Sequence, residues 1–167
     1  MEQKNFSSND AVNKIKEMVK NIGTCMFFTN TQSGIHNSRP MAVIETDING
    51  NLWFFTNRQS AKVSDIEKDS HVHLVFSNPA KDLYLDLRGR ASIEEDRQSI
   101  EEKWDPLIKV WFPEGKNDPG LCLIKVKTDE AHYWDRDSTK MQEVIKAASA
   151  VIKGKELSEG VHGDLLV

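Results

Sequence analysis

RPMAVIETDINGNLWFFTNRQSAKVSDI, residues 39–66, decides how this chain folds. Two apolar runs flank DINGN (47–51). An Asn-Gly pair favours tight hairpins, because both residues tolerate the left-handed backbone that such turns need. RPMAVIET (39–46) is therefore expected to pair antiparallel with LWFFTN (52–57). The second strand then ends abruptly in donors and cations: Thr56, Asn57, Arg58, Gln59, Ser60 and Lys62. A short helical pattern follows.

Outward from the hairpin, the same period-two logic recurs. TCMFFTN (24–30) reads as a buried strand, and HVHLVFS (71–77) puts Val72, Leu74 and Phe76 on one face. DLYLDLRGRASIEE (82–95) sets Leu83, Leu85 and Leu87 against Tyr84, Asp86 and Arg88, and its internal Gly89 predicts a bulge or a tight bend. LCLIKVKT (121–128) and EAHYWD (130–135) are two further strands. Before them all, Ser7, Ser8 and Asp10 offer caps for a helix over 10–22, with Val12, Ile15, Val19 and Ile22 on its apolar side, Met18 alongside, and Gly23 as its stop. Helical periodicity returns over 96–111, interrupted by Pro106, and over 139–152. The residues after Gly154 read as a tail, which gives one domain over 1–154 and a tail over 155–167. Without repeated strand–helix alternation, the fold class is mainly β with peripheral helices, a six- to seven-stranded antiparallel barrel.

Composition narrows the function. The chain has 167 residues, 38% hydrophobic and 29% charged, with a net charge of −4. This is a globular composition without the basic surplus of a nucleic-acid binder. Cys25 and Cys122 lie in apolar runs, no CxxC occurs, and both are expected as reduced core residues of a cytoplasmic protein. No stretch approaches the ~18 apolar residues of a membrane span, and the polar opening MEQKNFSSND carries no secretory h-region. His71 and His73 share a strand face, but two ligands fall short of the roughly three or four of a zinc site. No metal is expected.

The polar strand end is the place for chemistry. An anion such as a phosphate is held by backbone N–H groups, hydroxyls and cations together, and a helix N-terminus supplies the first with a favourable dipole. Ser60 is placed to cap a helix over 61–68, with Lys62 in its first turn. In a simple hairpin around 47–51, Arg39 falls near residue 59, so Arg39, Ser60 and Lys62 would converge. The same residues also read as an ordinary solvated strand end. Trp53, Trp104, Trp111 and Trp134 each read as core residues or as the flank of an aromatic ligand.

The order SRPMAVIE, GNLWFFTNRQSAKVSDI, DLYLDLRGRASI and EAHYWD resembles the pyridoxamine 5′-phosphate oxidase-like superfamily, in its general stress protein 26 type branch, over about residues 10 to 150. The resemblance implies a split β-barrel, a homodimer, and FMN at the dimer interface. It implies that Arg39, Ser60 and Lys62 hold the FMN phosphate, and that Met41 and Ala42 present backbone to the ring. It implies that Phe55 and Thr56, with Asn57, end the strand beside the cofactor. Trp134 would reach the flavin from the other subunit, and Trp111 would lie near the interface. Three positions depart from the oxidase: Ala61 replaces a basic residue, Ile44 a lysine, and Lys140-Met141-Gln142 an Arg-x-His. The resemblance therefore implies a flavin-dependent oxidoreductase acting on an unidentified small-molecule redox substrate, or a non-catalytic flavin store or sensor, rather than that oxidase. A closing lysine favours FMN over FAD or a deazaflavin. No catalytic residue is evident.

Overall fold

The computed structural model describes residues 2–3, 6–31, 33–34, 36–135 and 161–166. Two short strands, β1 (Glu2–Gln3) and β2 (Phe6–Ser7), precede α1 (Ser8–Ile22). Then come β3 (Thr24–Asn30), β4 (His36–Ala42), β5 (Glu45–Thr46), β6 (Leu52–Asn57) and α2 (Ala61–Lys68). β7 (His71–Asn78), β8 (Leu83–Glu94), α3 (Arg97–Lys103), β9 (Leu121–Asp135) and β10 (Val161–Leu166) complete the elements, with 3-10 turns between α3 and β9.

The long strands pair antiparallel in the order β4-β3-β7-β8-β9, and β6 joins β9 from the other side. Chain connectivity then brings the two ends together. Val43 donates its N–H to Gly23 O (3.0 Å) while Ile44 donates to Trp53 O (2.9 Å), so the backbone passes from β3 to β6 within two residues. The result is a mainly antiparallel split β-barrel with peripheral helices. Its core holds Phe27, Phe54, Leu74, Phe76, Leu85, Leu87, Ile124 and Val126. Phe27 and Phe54 meet edge to face at 5.3 Å, the geometry that the ring quadrupoles favour.

α1 closes one mouth of the barrel. Ala11, Ile15, Met18 and Val19 are buried on its inner stripe, and Lys14 bridges to Asp135 at 2.5 Å. Gly23 ends the helix with φ +81°, a conformation that a side chain would strain. A second, smaller core of Trp53, Ile100, Ile108, Phe112, Leu121 and Leu123 lies under α3 and the following 3-10 turn. Pro106 opens that turn, so the 96–111 pattern is two short pieces rather than one helix. The bulge expected at Gly89 is present, as a register shift between Arg88 and Gly89 against β9.

Three expectations change. LCLIKVKT and EAHYWD, expected as two strands, form one continuous strand, β9. RPMAVIET is not one hairpin strand. Only Glu45 and Thr46 pair with β6, while residues 36–42 pair along their whole length with β3. Closing the barrel forces this, because the strand must leave β6 to seal the gap beside β3. The segment read as a tail contains β10, which runs antiparallel to β9 from Val161↔Asp135 to Leu165↔Ala131. The helix expected over 139–152 lies outside the described residues.

Candidate functional site

The polar cluster forms where β3, β4, β6 and the start of α2 meet. Arg39 pairs across the strands with Phe27, so its side chain starts on the inner face at the barrel rim. Its Nη1 donates to the hydroxyl of Thr29 (2.8 Å) and, at 3.4 Å, to Phe27 O. Its Nη2 stands 4.0 Å from Asp65 Oδ2. The carboxylate of Asp65 accepts from Thr29 Oγ1 (2.8 Å) and Asn37 Nδ2 (3.4 Å).

Lys62 approaches from α2. Its ammonium donates to Thr56 Oγ1 at 2.9 Å, and Thr56 lies 3.5 Å from the hydroxyl of Ser60. Among the described residues no carboxylate stands within ion-pair distance of Lys62. Burial pushes the Lys62 pKa down, the charge of Arg39 pushes the same way, and the Cys122 thiol opposes slightly. Burial likewise lowers Arg39, partly countered by Asp65. The two cations are thus close enough to feel one another. Ser60 is the N-cap of α2, yet its hydroxyl makes no cap bond, and the first turn holds no acidic residue. A cation at the positive end of a helix dipole is unfavourable on its own, and hydroxyls, helix N–H groups and two cations together form an anion cradle.

Other residues singled out from the sequence fall in different places. Met41 is half-buried against the main core, and its carbonyl accepts from Cys25 Sγ at 3.6 Å. Ala42 ends β4 exposed. Phe55 and Thr56 point to opposite faces of β6. Thr56 is buried at the cluster, whereas Phe55 packs on Trp104 with ring centroids 5.9 Å apart. Asn57 serves the turn, accepting from the Gln59 N–H at 2.8 Å. Arg58 turns away to Glu67 and Glu95. Trp111 is 73% exposed after the 3-10 turn, and Trp134 is 37% exposed on the outer face of β9 beside His132. Trp134 is four strand steps from β4, roughly 19 Å along the sheet at the usual strand spacing. The structure therefore gathers Arg39, Thr56, Ser60 and Lys62, and leaves Phe55, Asn57, Trp111 and Trp134 outside that cluster.

Thr29, Asn37 and Asp65 join the cluster without having been read from the sequence. A signal existed for Thr29: in TCMFFTN the inward positions are Cys25, Phe27 and Thr29, so a polar residue sits where the pattern calls for an apolar one. Cys122 lies beneath, its thiol pushed up to about 11 chiefly by burial, and so is neutral and unreactive. Among the described residues no group of three or more His, Cys, Asp or Glu is placed to hold a metal ion.

Comparison with known proteins bears on the family and the fold. The family described as pyridoxamine 5′-phosphate oxidase like matches residues 10–158. The Neurospora crassa protein bli-3 is 31% identical over 147 residues, 83% of this chain and 70% of that protein. The crystal structure of general stress protein 26 from Bacillus anthracis superposes with a TM-score of 0.61 at 30% identity, over 71% of this chain and 92% of the other. A general stress FMN/FAD binding protein from Xanthomonas citri does so with a TM-score of 0.65 at 28% identity, over 77% and 90%. With its barrel and its family match in agreement, this chain belongs to the pyridoxamine 5′-phosphate oxidase-like family.

Proposed function

We propose that this protein binds FMN, with the phosphate held by Arg39, Lys62, Ser60, Thr56 and the N-terminus of α2. The observation that carries the reading is Lys62. It is half-buried at the start of a helix, crowded by Arg39 and without a carboxylate partner, an arrangement that a bound dianion would relieve. The similar Xanthomonas citri protein is an FMN/FAD binder, which supports the cofactor class. β4 ends the sheet path, so one row of its backbone groups has no strand partner among the described residues. Ala42 points its N–H and C=O out along that edge, because the next residue, Val43, turns its N–H inward to Gly23 O, and would offer them to the flavin ring with Met41 beside it. Phe55 and Asn57 would contribute through the backbone of the strand end.

The molecule works as a homodimer in this reading, with Trp134, and at the rim Trp111, supplied by a second copy. Met26, Tyr84 and Trp134 are exposed on one face, and such a patch suits an interface. When bound, FMN supplies the hydride or electron transfer. The residues of this chain anchor the phosphate, orient the ring and exclude water, and none needs to act as a general acid or base. The site lies in a cytoplasmic protein and serves a small-molecule redox substrate. It does not fit pyridoxamine phosphate, because Ile44 packs against the second core and Ala61 carries no charge.

The same observation favours a second reading, a flavin store or sensor without turnover. Two experiments decide. The purified protein should show flavin absorbance or take up FMN on titration, and no uptake would reject both readings. Rapid reduction of the bound flavin by NADH or NADPH supports the oxidoreductase, and tight binding without reduction supports the store.

A further inference from the structure

We infer that Asp65 is a positioning residue of this site: through Thr29 it sets the guanidinium of Arg39, leaving the rest of that group free for the phosphate. The inference rests on the phosphate reading above. The hydrogen-bond chain has only one possible direction. Arg39 has no acceptor atom, so it donates to Thr29 Oγ1. An ionised carboxylate only accepts, so the single hydroxyl proton of Thr29 goes to Asp65 Oδ2. Both links measure 2.8 Å, and Thr29 is fully buried. Asp65 makes no direct hydrogen bond to Arg39: Nη2 stands 4.0 Å away, a long ion pair that attracts the guanidinium without fixing its orientation. Asn37 steadies the same carboxylate oxygen from β4. The helix supplies the registration: Asp65 follows Lys62 by three residues and so lies on the same side of α2.

The sign of the effect separates positioning from plain electrostatics. A carboxylate beside an anion site repels the anion, so by Coulomb energy alone its removal tightens phosphate binding. Positioning makes the opposite statement. Without Asp65 the hydroxyl of Thr29 is free to rotate, and Arg39 loses the constraint that aims it.

The test compares FMN with riboflavin, which has the same ring and no phosphate. The ratio of the two dissociation constants isolates the phosphate contribution. Asp65→Ala and Thr29→Val should each reduce that ratio roughly tenfold, the scale of one charge-assisted hydrogen bond. Asp65→Asn keeps an acceptor and Thr29→Ser keeps a hydroxyl, so both should stay near wild type. Thermal melts of all four check that the fold persists, and the two conservative variants keep the test decisive if Thr29→Val does not fold. A ratio that is unchanged or raised in Asp65→Ala overturns the positioning role. A wild-type protein that binds FMN no better than riboflavin overturns the phosphate reading itself, a separate outcome seen before any variant is made.

Discussion

Lys62 sits where folding alone disfavours it. Burial, then the neighbouring charge of Arg39, lowers its pKa, so the protonated form is penalised in the folded state. The penalty is present below its folded pKa and relieved as pH rises toward the range of an unfolded lysine. Lys62→Met should therefore leave the ligand-free protein about as stable or slightly more so, within roughly 1 kcal/mol. FMN affinity should fall by about 1.5–3 kcal/mol, the worth of a bond to a charged group. Differential scanning fluorimetry and a flavin fluorescence titration check the two halves. A clear loss of melting temperature with affinity intact would make Lys62 a structural residue.

α2 is fastened at its far end by Asp69. The carboxylate accepts from the backbone and ring of His71 and from Asn30 Nδ2, tying the end of the helix to β7 and β3. The backbone amide of His71 is the largest of these effects, followed by Asn30 and the His71 ring, and together they hold the Asp69 pKa at about 2 instead of 3.8. A depressed carboxylate contributes stability that is present above its unfolded pKa and lost as pH falls through its folded one. Asp69→Ala should lower the melting temperature at neutral pH, and its melting temperature should depend less on pH between 3.8 and about 2. Parallel curves for the two proteins would reject this account. The β8–β9 ribbon carries a stricter constraint. A Cβ at Gly89 would lie 2.2 Å from the carbonyl oxygen of Lys127 and 3.0 Å from its carbonyl carbon, backbone that cannot swing aside as a side chain can. Gly89→Ala should cost about 2–4 kcal/mol in urea unfolding, the range of severe backbone conflicts. A change below about 0.5 kcal/mol would mean that the ribbon re-registers at little cost.

The outer face of the barrel carries an exposed apolar band. Met26 pairs with Pro40 and Val75, and Tyr84 with Ser77 and Trp134, so these side chains form a band across five strands. Met26 is 40% exposed, and Tyr84 and Trp134 on the same face are each 37% exposed. An edge strand beside an apolar band is a surface that soluble proteins normally cover. Covered by a second copy, the band gives a dimer in sedimentation velocity at micromolar concentration. Tyr84→Glu, which puts a charge beside Asp86 and Trp134, should shift the protein toward monomer and weaken flavin binding together. A monomeric wild-type protein that still binds FMN tightly would remove the second copy from the site.

Most of the strands and helices, and the chemistry of the cluster, were legible from the order of residues. Period-two runs placed the strands because burial alternates along a pleated chain. Gly23 marked the end of α1, where φ is +81°, and Gly89 the bulge in β8, where a Cβ would strike the Lys127 carbonyl. Arg39, Ser60 and Lys62 were legible as an anion set from their chemistry. Tertiary structure decided how they meet. The hairpin around DINGN pairs only Glu45 and Thr46, and Arg39 reaches the cluster from β4, which pairs with β3 instead. No local rule reveals that exchange, because it follows from closing the barrel between strands distant in sequence. Strand β10 eluded the sequence for the same reason: a six-residue strand with a central Gly163 gains its place only from the β9 edge it meets. Thr29 and Asp65, 36 residues apart, form their 2.8 Å bond because β3 packs beneath α2, a contact that no spacing in the chain announces.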